Sequence, residues 1–348
     1  MTCIKDLSLE DAEALFAEWG EKPFRARQLF VWLYEKNVAS FAEMTTFSKV
    51  LRARLDAEFE INALALEDRL VSAIDGTEKY LFRTSDGNFI ESVLIKRDGD
   101  DGGRLTECIS SQVGCAMGCA FCSTARMGFV RNLTTGEIVD QICQVRRISG
   151  LVNHNVVFMG MGEPLLNYDA VMKAAAIINY SFGFHVSVRR ITISTCGITP
   201  AIERYIDERR PYNLAISLND TLPEARRRNM PVEGAYPIAG ISRLLDEKAP
   251  ASRNRVTLEY VMRKDNIGAD DARRLKSLFR ASWIKLNLIP LNPGASGAEA
   301  PTEVEIARFV TELEIMNVPV TVRKSFGSDI AGACGQLSGA RYHQQIAG

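Results

Sequence analysis

Three cysteines lie close together in one short loop, at Cys115, Cys119 and Cys122. Their C-x3-C-x2-C spacing lets three thiolates reach a single metal centre without any long-range folding. Thiolates are soft ligands, suited to iron–sulfur clusters or to zinc. A closed structural site normally has four protein ligands, whereas this loop supplies three. The spacing therefore predicts a cubane cluster in which one iron keeps a free position for another ligand.

Two further cysteines and one carboxylate are candidates for covalent or acid–base chemistry. Cys334 lies among Gly and Ala residues, so it is either an incidental free thiol or an accessible nucleophile. Cys108 lies seven residues before Cys115, near the predicted metal site. The alternative interpretation is an ordinary buried thiol in the core. Glu91 lies between apolar strand residues, where an outward-facing carboxylate is the commoner situation. A buried carboxylate at that position would be a candidate general base.

Glycines and small polar residues follow several apolar runs that predict strands. In the segment 159–164, the glycines allow a ligand to approach the backbone, and Glu163 can accept a hydrogen bond from an amino group. Hydroxyl and amide groups at the ends of successive strands suit a ribose, a carboxylate and an adenine. The candidate binding residues of this rim are Gly162, Glu163, Ser194, Ser217, Leu218, Asn219 and Asn292.

From residue 104 onward, apolar β-rich runs alternate with helical patterns. This alternation predicts parallel strands joined by right-handed crossovers, and six such units make an α/β barrel that is open on one side. In such folds the chemistry lies at the carboxyl ends of the strands, and the cysteine loop directly follows the first strand. The predicted strands are 105–110, 155–159, 190–195, 213–218, 255–261, 284–290 and 318–323. The predicted helices are 134–149, 168–181, 199–208, 236–247, 269–281 and 302–316.

The first 100 residues predict two smaller units. Residues 1–60 predict three helices with basic residues beside aromatic ones, so this module is either a cap on the barrel or an RNA-contacting domain. Residues 61–100 predict a hairpin extended to three strands, near 68–74, 78–84 and 89–96, and a Gly- and Asp-rich linker at 98–103. The predicted domains are therefore 1–60, 61–100, 101–335 for the barrel and 336–348 for a C-terminal tail.

Composition excludes several classes of protein. The chain has 348 residues, of which 46% are hydrophobic, enough for one large barrel with a small accessory domain. No apolar run is long enough to span a bilayer, and the N-terminus lacks a signal-peptide pattern, so we expect a cytoplasmic protein. In that compartment, eight cysteines argue against a structural disulfide framework. The net charge of −1 does not by itself indicate a nucleic-acid binder.

Four segments together resemble the RlmN-type radical S-adenosylmethionine (SAM) RNA methyltransferases, which methylate C2 of adenine in 23S rRNA and in certain tRNAs. The resemblance covers nearly the whole chain and implies an α/β fold. That fold is a partial (β/α)6 radical SAM barrel with an N-terminal helical accessory domain and a small β-hairpin extension. The segments that carry the resemblance are 108–115, the three-cysteine loop, 159–164 and 329–337.

The resemblance also implies a role for each candidate residue. Cys115, Cys119 and Cys122 would hold a [4Fe-4S] cluster, whose open iron would chelate SAM within the rim of binding residues. Cys334 would take a methyl group from one SAM, and a 5′-deoxyadenosyl radical from a second would abstract hydrogen from that methyl. The carbon radical would add to adenine C2. Glu91 would then remove the C2 proton, and Cys108 would resolve the adduct by forming a disulfide with Cys334.

The implied partners are 23S rRNA, tRNA and a flavodoxin-like or ferredoxin-like electron donor, with the protein acting as a monomer away from membranes. One position departs from the family, which often has His where this chain has Asn219. Two alternatives compete with this hypothesis. A Cfr-type enzyme would methylate adenine C8 instead, although Pro164 and the following 165–167 segment favour the C2 type. A non-catalytic zinc or iron–sulfur RNA-binding protein would leave Cys334, Cys108 and Glu91 without a joint use.

Overall fold

A ten-stranded sheet forms the centre of the molecule. The computed structural model describes residues 2–97, 104–152, 155–248, 256–279, 285–292, 298–315 and 318–338. The strands are β1 Thr2–Cys3, β2 Phe59–Glu60, β3 Leu64–Val71, β4 Glu78–Thr84, β5 Phe89–Arg97, β6 Arg104–Cys108, β7 Gln112–Gly114, β8 Phe129–Asn132, β9 Asn155–Phe158, β10 Ile191–Thr195, β11 Asn213–Ser217, β12 Val256–Met262, β13 Lys285–Pro290 and β14 Val320–Val322.

Helices connect the strands and cover the outer face of the sheet. They are α1 Leu9–Glu18, α2 Phe24–Phe30, α3 Lys49–Glu58, α4 Ser123–Arg126, α5 Thr135–Ser149, α6 Tyr168–Asn179, α7 Thr199–Asp207, α8 Pro223–Asn229, α9 Ile238–Lys248, α10 Ala269–Leu278 and α11 Glu303–Ile315. Helix α5 illustrates how the local sequence sets the two ends of a helix. Thr134 and Glu137 make a capping box at its start, and Gly150 ends it in the left-handed conformation.

The prediction of an α/β barrel is confirmed. Strands β6, β9, β10, β11, β12, β13 and β14 pair in parallel in that order. Their carboxyl ends therefore meet at one edge of the sheet, which is where βα folds carry their chemistry. Six elements were not predicted from the sequence: strands β1 and β2, helices α4 and α8, and strands β7 and β8, which form a short antiparallel pair around the cysteine loop.

The hairpin strands are part of the main sheet, because β5 pairs antiparallel with β6 and extends the sheet through β4 to β3. The predicted first strand at 68–74 is wrong, since β3 begins at Leu64 and ends at Val71. Residues 72–77 instead form a turn in which the backbone N–H of Ser72 donates to the carbonyl of Thr77 at 2.8 Å. The predicted linker at 98–103 and most of the predicted tail, residues 339–348, lie outside the described residues.

The N-terminal module is fixed to the barrel through helix α5. The Lys5 ammonium and the Asp140 carboxylate form an ion pair of 2.5 Å in which both side chains are fully buried. The second carboxylate oxygen of Asp140 accepts from the backbone N–H groups of Ala63 and Leu64, at 2.8 and 3.0 Å. A buried pair of this kind contributes chiefly by fixing geometry, and removing one partner would leave an uncompensated charge. Among the described helices, none is long and apolar enough to cross a membrane.

Candidate active site

A cavity of about 160 Å³ opens at the carboxyl edge of the parallel strands. We call it the cysteine cavity, because all three loop cysteines line it. The residues predicted from the sequence that line this cavity are Cys115, Cys119, Cys122, Gly162, Glu163, Ser194, Ser217, Asn219, Asn292 and Cys334. Three predicted residues, Leu218, Cys108 and Glu91, are not part of its lining.

The cysteine loop is held by backbone hydrogen bonds at both ends. The N–H of Cys115 donates to the carbonyl of Gly128 at 2.8 Å, and the N–H of Ala120 donates to the carbonyl of Asn229 at 2.9 Å. Gly114 has a φ of +72°, and a Cβ there would lie 1.9 Å from the Gly128 carbonyl oxygen. Glycine is therefore required at that position, because any side chain would break the β7–β8 pairing that starts the loop.

The glycines of segment 159–164 line the cavity, and they are also required for packing. A Cβ on Gly160 would lie 2.7 Å from the Ile109 backbone, and one on Gly162 would lie 2.5 Å from the Gln112 side chain. These glycines therefore allow the segment to pack against the chain that leads into the cysteine loop. The Glu163 carboxylate is also engaged, because it accepts from the backbone N–H groups of Leu165 and Cys196 at 3.0 and 2.7 Å.

Polar residues at the ends of β10 and β11 line the cavity, whereas their neighbour Leu218 does not. The Ser194 hydroxyl lies 3.5 Å from the Glu259 carboxylate inside the cavity. Asn219 adopts a left-handed φ of 63°, and its side-chain oxygen accepts from the Val261 N–H at 2.9 Å. Leu218 does not reach the cavity, because its side chain is fully buried in the core and its backbone pairs with the end of β12.

One buried residue beside the cavity, Arg226, was not predicted from the sequence. Its side chain is 0% exposed, and its guanidinium donates to the Leu218 carbonyl at 3.1 Å and the Cys196 carbonyl at 2.8 Å. It also pairs with the buried Glu233 carboxylate at 2.5 Å. Arg226 thus ties together the ends of β10 and β11, and a planar fork of donors is suited to this task. The residues that follow it in α8 are also arginines, so no local pattern distinguishes it from them.

The loop that carries Cys334 is anchored on several sides. We call residues 327–338 the Cys334 segment. Its Cys334 carbonyl accepts from the Asn292 side-chain amide at 3.1 Å, while the thiol side chain is exposed. The carbonyls of Gly335 and Leu337 accept from helix α4, at 2.8 Å from the Ser123 N–H and 2.7 Å from the Thr124 hydroxyl. The nucleophile candidate therefore lies on a fixed backbone directly beside the cysteine loop.

A second cavity of about 80 Å³ adjoins the first, and Cys108 and Cys334 both line it. We call it the thiol-pair cavity. Met159 and Asn292 line both cavities, so the two are contiguous. Burial, with the nearby Cys334, raises the pKa of the Cys108 thiol to about 12. The buried Arg323 also lines the thiol-pair cavity, and its pKa is raised mainly by the charge of Cys334.

Glu91 is buried, so the alternative of an outward-facing strand residue is wrong. Its carboxylate lies 3.3 Å from the Lys79 ammonium and accepts from the Ser338 N–H at 2.8 Å. The Lys79 ammonium in turn donates to the Ala331 carbonyl at 3.3 Å. The Lys79–Glu91 pair therefore clasps the Cys334 segment on both sides of its cysteine, and Lys79 was not predicted from the sequence.

Comparison with known proteins assigns the chain to a family. Residues 3–61 match the ribosomal RNA large subunit methyltransferase N-terminal domain, and residues 109–266 match the radical SAM superfamily. The chain is 47% identical to the dual-specificity RNA methyltransferase RlmN of Pelobacter propionicus and 45% identical to that of Geotalea uraniireducens. Each alignment covers 97% of this chain and 96% of the relative. The chain belongs to the RlmN family.

A solved structure of the same class agrees with this assignment. The crystal structure of a radical SAM methyltransferase from Sphaerobacter thermophilus has a TM-score of 0.88 and 39% identity, over 97% of this chain and 100% of that chain. As a radical SAM protein of the RlmN family, the chain has a [4Fe-4S] cluster and SAM as its cofactors.

The residues of this RlmN-family chain fit such a cluster. Burial raises the pKa of the Cys115 thiol to about 12 and also raises the pKa of Cys119, so these thiols need a bound cation to ionise. All three thiols line the same cavity, and cysteine thiolates are the usual ligands of iron–sulfur clusters.

Proposed function

We propose that this protein methylates C2 of adenine in 23S rRNA and in tRNAs, using two SAM molecules per turnover. The observation that carries this proposal is the placement of Cys108 and Cys334 on one cavity that adjoins the cavity of the cluster cysteines. A protein that only bound RNA through a metal site would have no use for that second pair of thiols. The name of the relatives, dual-specificity RNA methyltransferase, supports the choice of RNA substrates.

Cys115, Cys119 and Cys122 hold the cluster, and the rim residues Ser194, Ser217, Asn219 and Asn292, with the backbone at Gly162 and Glu163, bind SAM beside it. When bound, the cluster supplies the one-electron reduction of SAM on which the radical chemistry depends. Radical chemistry is needed because adenine C2 is electron-poor and cannot act as the nucleophile of an ordinary methyl transfer. The protein's own contribution is to orient the reactants and exclude side reactions.

Cys334 is the methyl carrier in this proposal. Its exposed thiol loses a proton and displaces S-adenosylhomocysteine from SAM, so that an S–CH3 bond forms on Cys334 as the methyl–sulfonium bond breaks. That methyl group would lose a hydrogen atom to the 5′-deoxyadenosyl group of a second SAM, and its carbon would then bond to adenine C2. The C2 proton and one electron would leave the adduct, with the electron returning to the cluster. Cys108 then attacks the sulfur of Cys334, so that an S–S bond forms while the bond from Cys334 to the transferred carbon breaks. The electron pair of the broken bond remains on that carbon, which takes up a proton. An external dithiol reduces the disulfide before the next turnover.

Glu91 is the base that removes the C2 proton, and Lys79 positions it. The Lys79 ammonium lies 3.3 Å from one oxygen of the Glu91 carboxylate and holds that side chain in place. The second oxygen accepts from the Ser338 N–H at 2.8 Å, which joins the carboxylate to the Cys334 segment.

The remaining partners follow from this chemistry. We propose a flavodoxin-like or ferredoxin-like protein as the electron donor, a monomeric enzyme and a cytoplasmic location, where rRNA and tRNA are found. A transient Cys108–Cys334 disulfide is the kind of disulfide that a reducing compartment permits.

The test is a product analysis. The protein is reconstituted anaerobically with iron and sulfide to about four irons per chain. It is then incubated with SAM, dithionite and unmethylated 23S rRNA or tRNA. Nucleosides are analysed by mass spectrometry, and 2-methyladenosine is the expected product. Exclusive 8-methyladenosine would support the C8 alternative. Loading with one zinc ion and no methylated product would support the RNA-binding alternative. Cys334→Ala is the matched control, with the same iron content and no product.

A further inference from the structure

A third cavity, of about 790 Å³, lies towards the amino edge of the barrel strands and is lined by eight basic side chains. We call it the basic cavity. It shares Met159 and Arg323 with the thiol-pair cavity, and Met159 and Glu259 with the cysteine cavity. The basic cavity therefore adjoins the site of the chemistry, although none of the roles proposed above uses it.

Basic residues outnumber acidic ones in the lining of this cavity, eight to two, and the two carboxylates are Asp75 and Glu259. Lys96 pairs with Glu78 at 2.5 Å, and Arg323 lies 3.7 Å from Glu259. Burial and the neighbouring charges of Arg323 and Arg104 lower the pKa of the Arg97 guanidinium. The other six basic side chains form no ion pair with a carboxylate in the described part of the chain; they are Arg97, Arg104, Arg189, Arg190, Lys285 and Lys324.

The basic residues are spread along the barrel strands, from the amino ends to the carboxyl ends. Arg189 and Arg190 directly precede β10, and Arg104 and Lys285 are the first residues of β6 and β13, so all four lie at the amino edge. Lys324 follows β14 and also lines the thiol-pair cavity. A five-residue strand such as β6 or β10 spans about 16 Å. The cations thus mark an extended path rather than a single point.

The wall between these charges is polar. The interior of a complete barrel is filled with branched apolar side chains. Here the inward positions are mostly hydroxyls and amides, so water and polar ligands can occupy the space. These residues are Thr106, Asn155, Thr192, Thr257, Asn287 and Thr321.

We propose that the basic cavity binds the phosphate backbone of the RNA strand that flanks the target adenine, an inference that rests on the proposed function. The strand passes from the thiol-pair cavity at Lys324 towards Arg189 and Arg190, which hold its phosphates at the amino edge of the barrel. Arg97, Arg104, Arg189, Arg190 and Lys324 are all exposed, so a macromolecular backbone can reach them. The net charge of the whole chain is only −1, so overall charge does not attract RNA. A local cluster of cations is the feature expected at a site that binds a polyanion.

The test measures the salt dependence of RNA binding by the cluster-loaded protein. The probe is a single-stranded RNA of 20 nucleotides and mixed sequence, titrated between 50 and 200 mM KCl. The variant R189A/R190A removes two cations whose side chains have no partner among the described residues. The control variant R243A/R308A removes two exposed arginines from the outer helices α9 and α11, with the same change in net charge.

We expect R189A/R190A to reduce the slope of log K against log salt by about 1.4, because each phosphate contact on a single strand contributes about 0.7. The control should keep the wild-type slope. Equal slopes for both variants would overturn the proposal, and so would binding of inorganic tripolyphosphate to the cavity together with an unchanged RNA slope, which would indicate a small-anion site. Formation of 2-methyladenosine by the wild type is measured separately, so a failure of the proposed function is distinguishable from a failure of this inference.

Discussion

Replacing Glu107 by Gln should remove a specific part of the pH dependence of stability. Glu107 lies on β6 beside Cys108 and is 0% exposed. Neither of its carboxylate oxygens has a hydrogen-bond partner among the described residues. Burial raises its pKa from 4.5 to about 8, and the charge of Arg146 opposes the shift only in part. The folded protein therefore holds this carboxyl in its protonated form under conditions in which the unfolded chain has lost the proton.

The direction and size of the effect follow from proton linkage. Because the folded pKa is the higher one, the stability that the protonated group provides is complete below about pH 4.5 and is lost as the pH rises through about 8. Within that window, the free energy of unfolding falls by about 1.4 kcal/mol per pH unit. Over the whole window the loss is on the order of 5 kcal/mol. An amide cannot ionise, so Glu107→Gln should lack this loss.

The assay is urea unfolding of the wild type and of Glu107→Gln at pH 5.5, 6.5 and 7.5, without metal and under reducing conditions. Subtracting the two free energies at each pH cancels the titration of all other groups. We expect Glu107→Gln to gain about 1.4 kcal/mol on the wild type with each pH unit. The control Glu314→Gln, an exposed residue at the end of α11, should keep a constant offset.

A difference between Glu107→Gln and the wild type that does not change with pH would refute this reasoning. It would mean that the ionised carboxylate finds solvent or a cation inside the folded protein. A large constant loss in the variant would instead report a packing defect, which the slope with pH separates from the loss due to ionisation.

Three further predictions concern the site. Cys108→Ala should leave RNA covalently attached to Cys334, because the thiol that releases it is absent; free methylated RNA at the wild-type rate, measured by gel shift and mass spectrometry, would contradict this. Lys79→Met should slow product formation at least tenfold, because it removes both the ion pair with Glu91 and the hydrogen bond to the Ala331 carbonyl, and Lys79→Arg should recover part of the rate; equal slowing by Lys79→Arg and Lys79→Met would argue against positioning by the charge. Arg226→Lys should lower the free energy of unfolding in urea by about 2–4 kcal/mol, since a lysine cannot satisfy the same buried carbonyls and carboxylate; a change below about 0.5 kcal/mol would argue against the tie between strands.

The barrel could be predicted because its strands and helices alternate over long, clear patterns, and the cysteine loop because its spacing is local. Burial of Glu91 could not be predicted, since parallel and central strands are covered on both faces and alternation no longer shows which face is exposed. Strand β5 is buried at seven consecutive positions from Phe89 to Ile95. The need for glycine at 160 and 162 also could not be predicted, because the residues that pack against them lie some 50 residues earlier in the chain.

Helix α8 and the β7–β8 pair were missed because each is only three to seven residues long, too short for a periodic signal. The side chain of Arg226 has a role that depends wholly on tertiary contacts, and a run of three arginines gives no indication which one is buried. Leu218 was included in the rim by proximity to Ser217 and Asn219, although adjacent strand residues point to opposite faces of a sheet.

The clasp around the Cys334 segment joins parts of the chain that are far apart in sequence. The hydrogen bond from Ser338 to Glu91 spans 247 residues, and the one from Ser72 to Asp329 spans 257. Contacts of such separation form late in folding, because the loop between them must close first. These contacts are absent from a partly folded form in which the hairpin strands have not met the end of the barrel. In such a form the thiol of Cys334 is not held in position. The position of the Cys334 thiol and the position of the hairpin strands therefore depend on each other across most of the length of the chain.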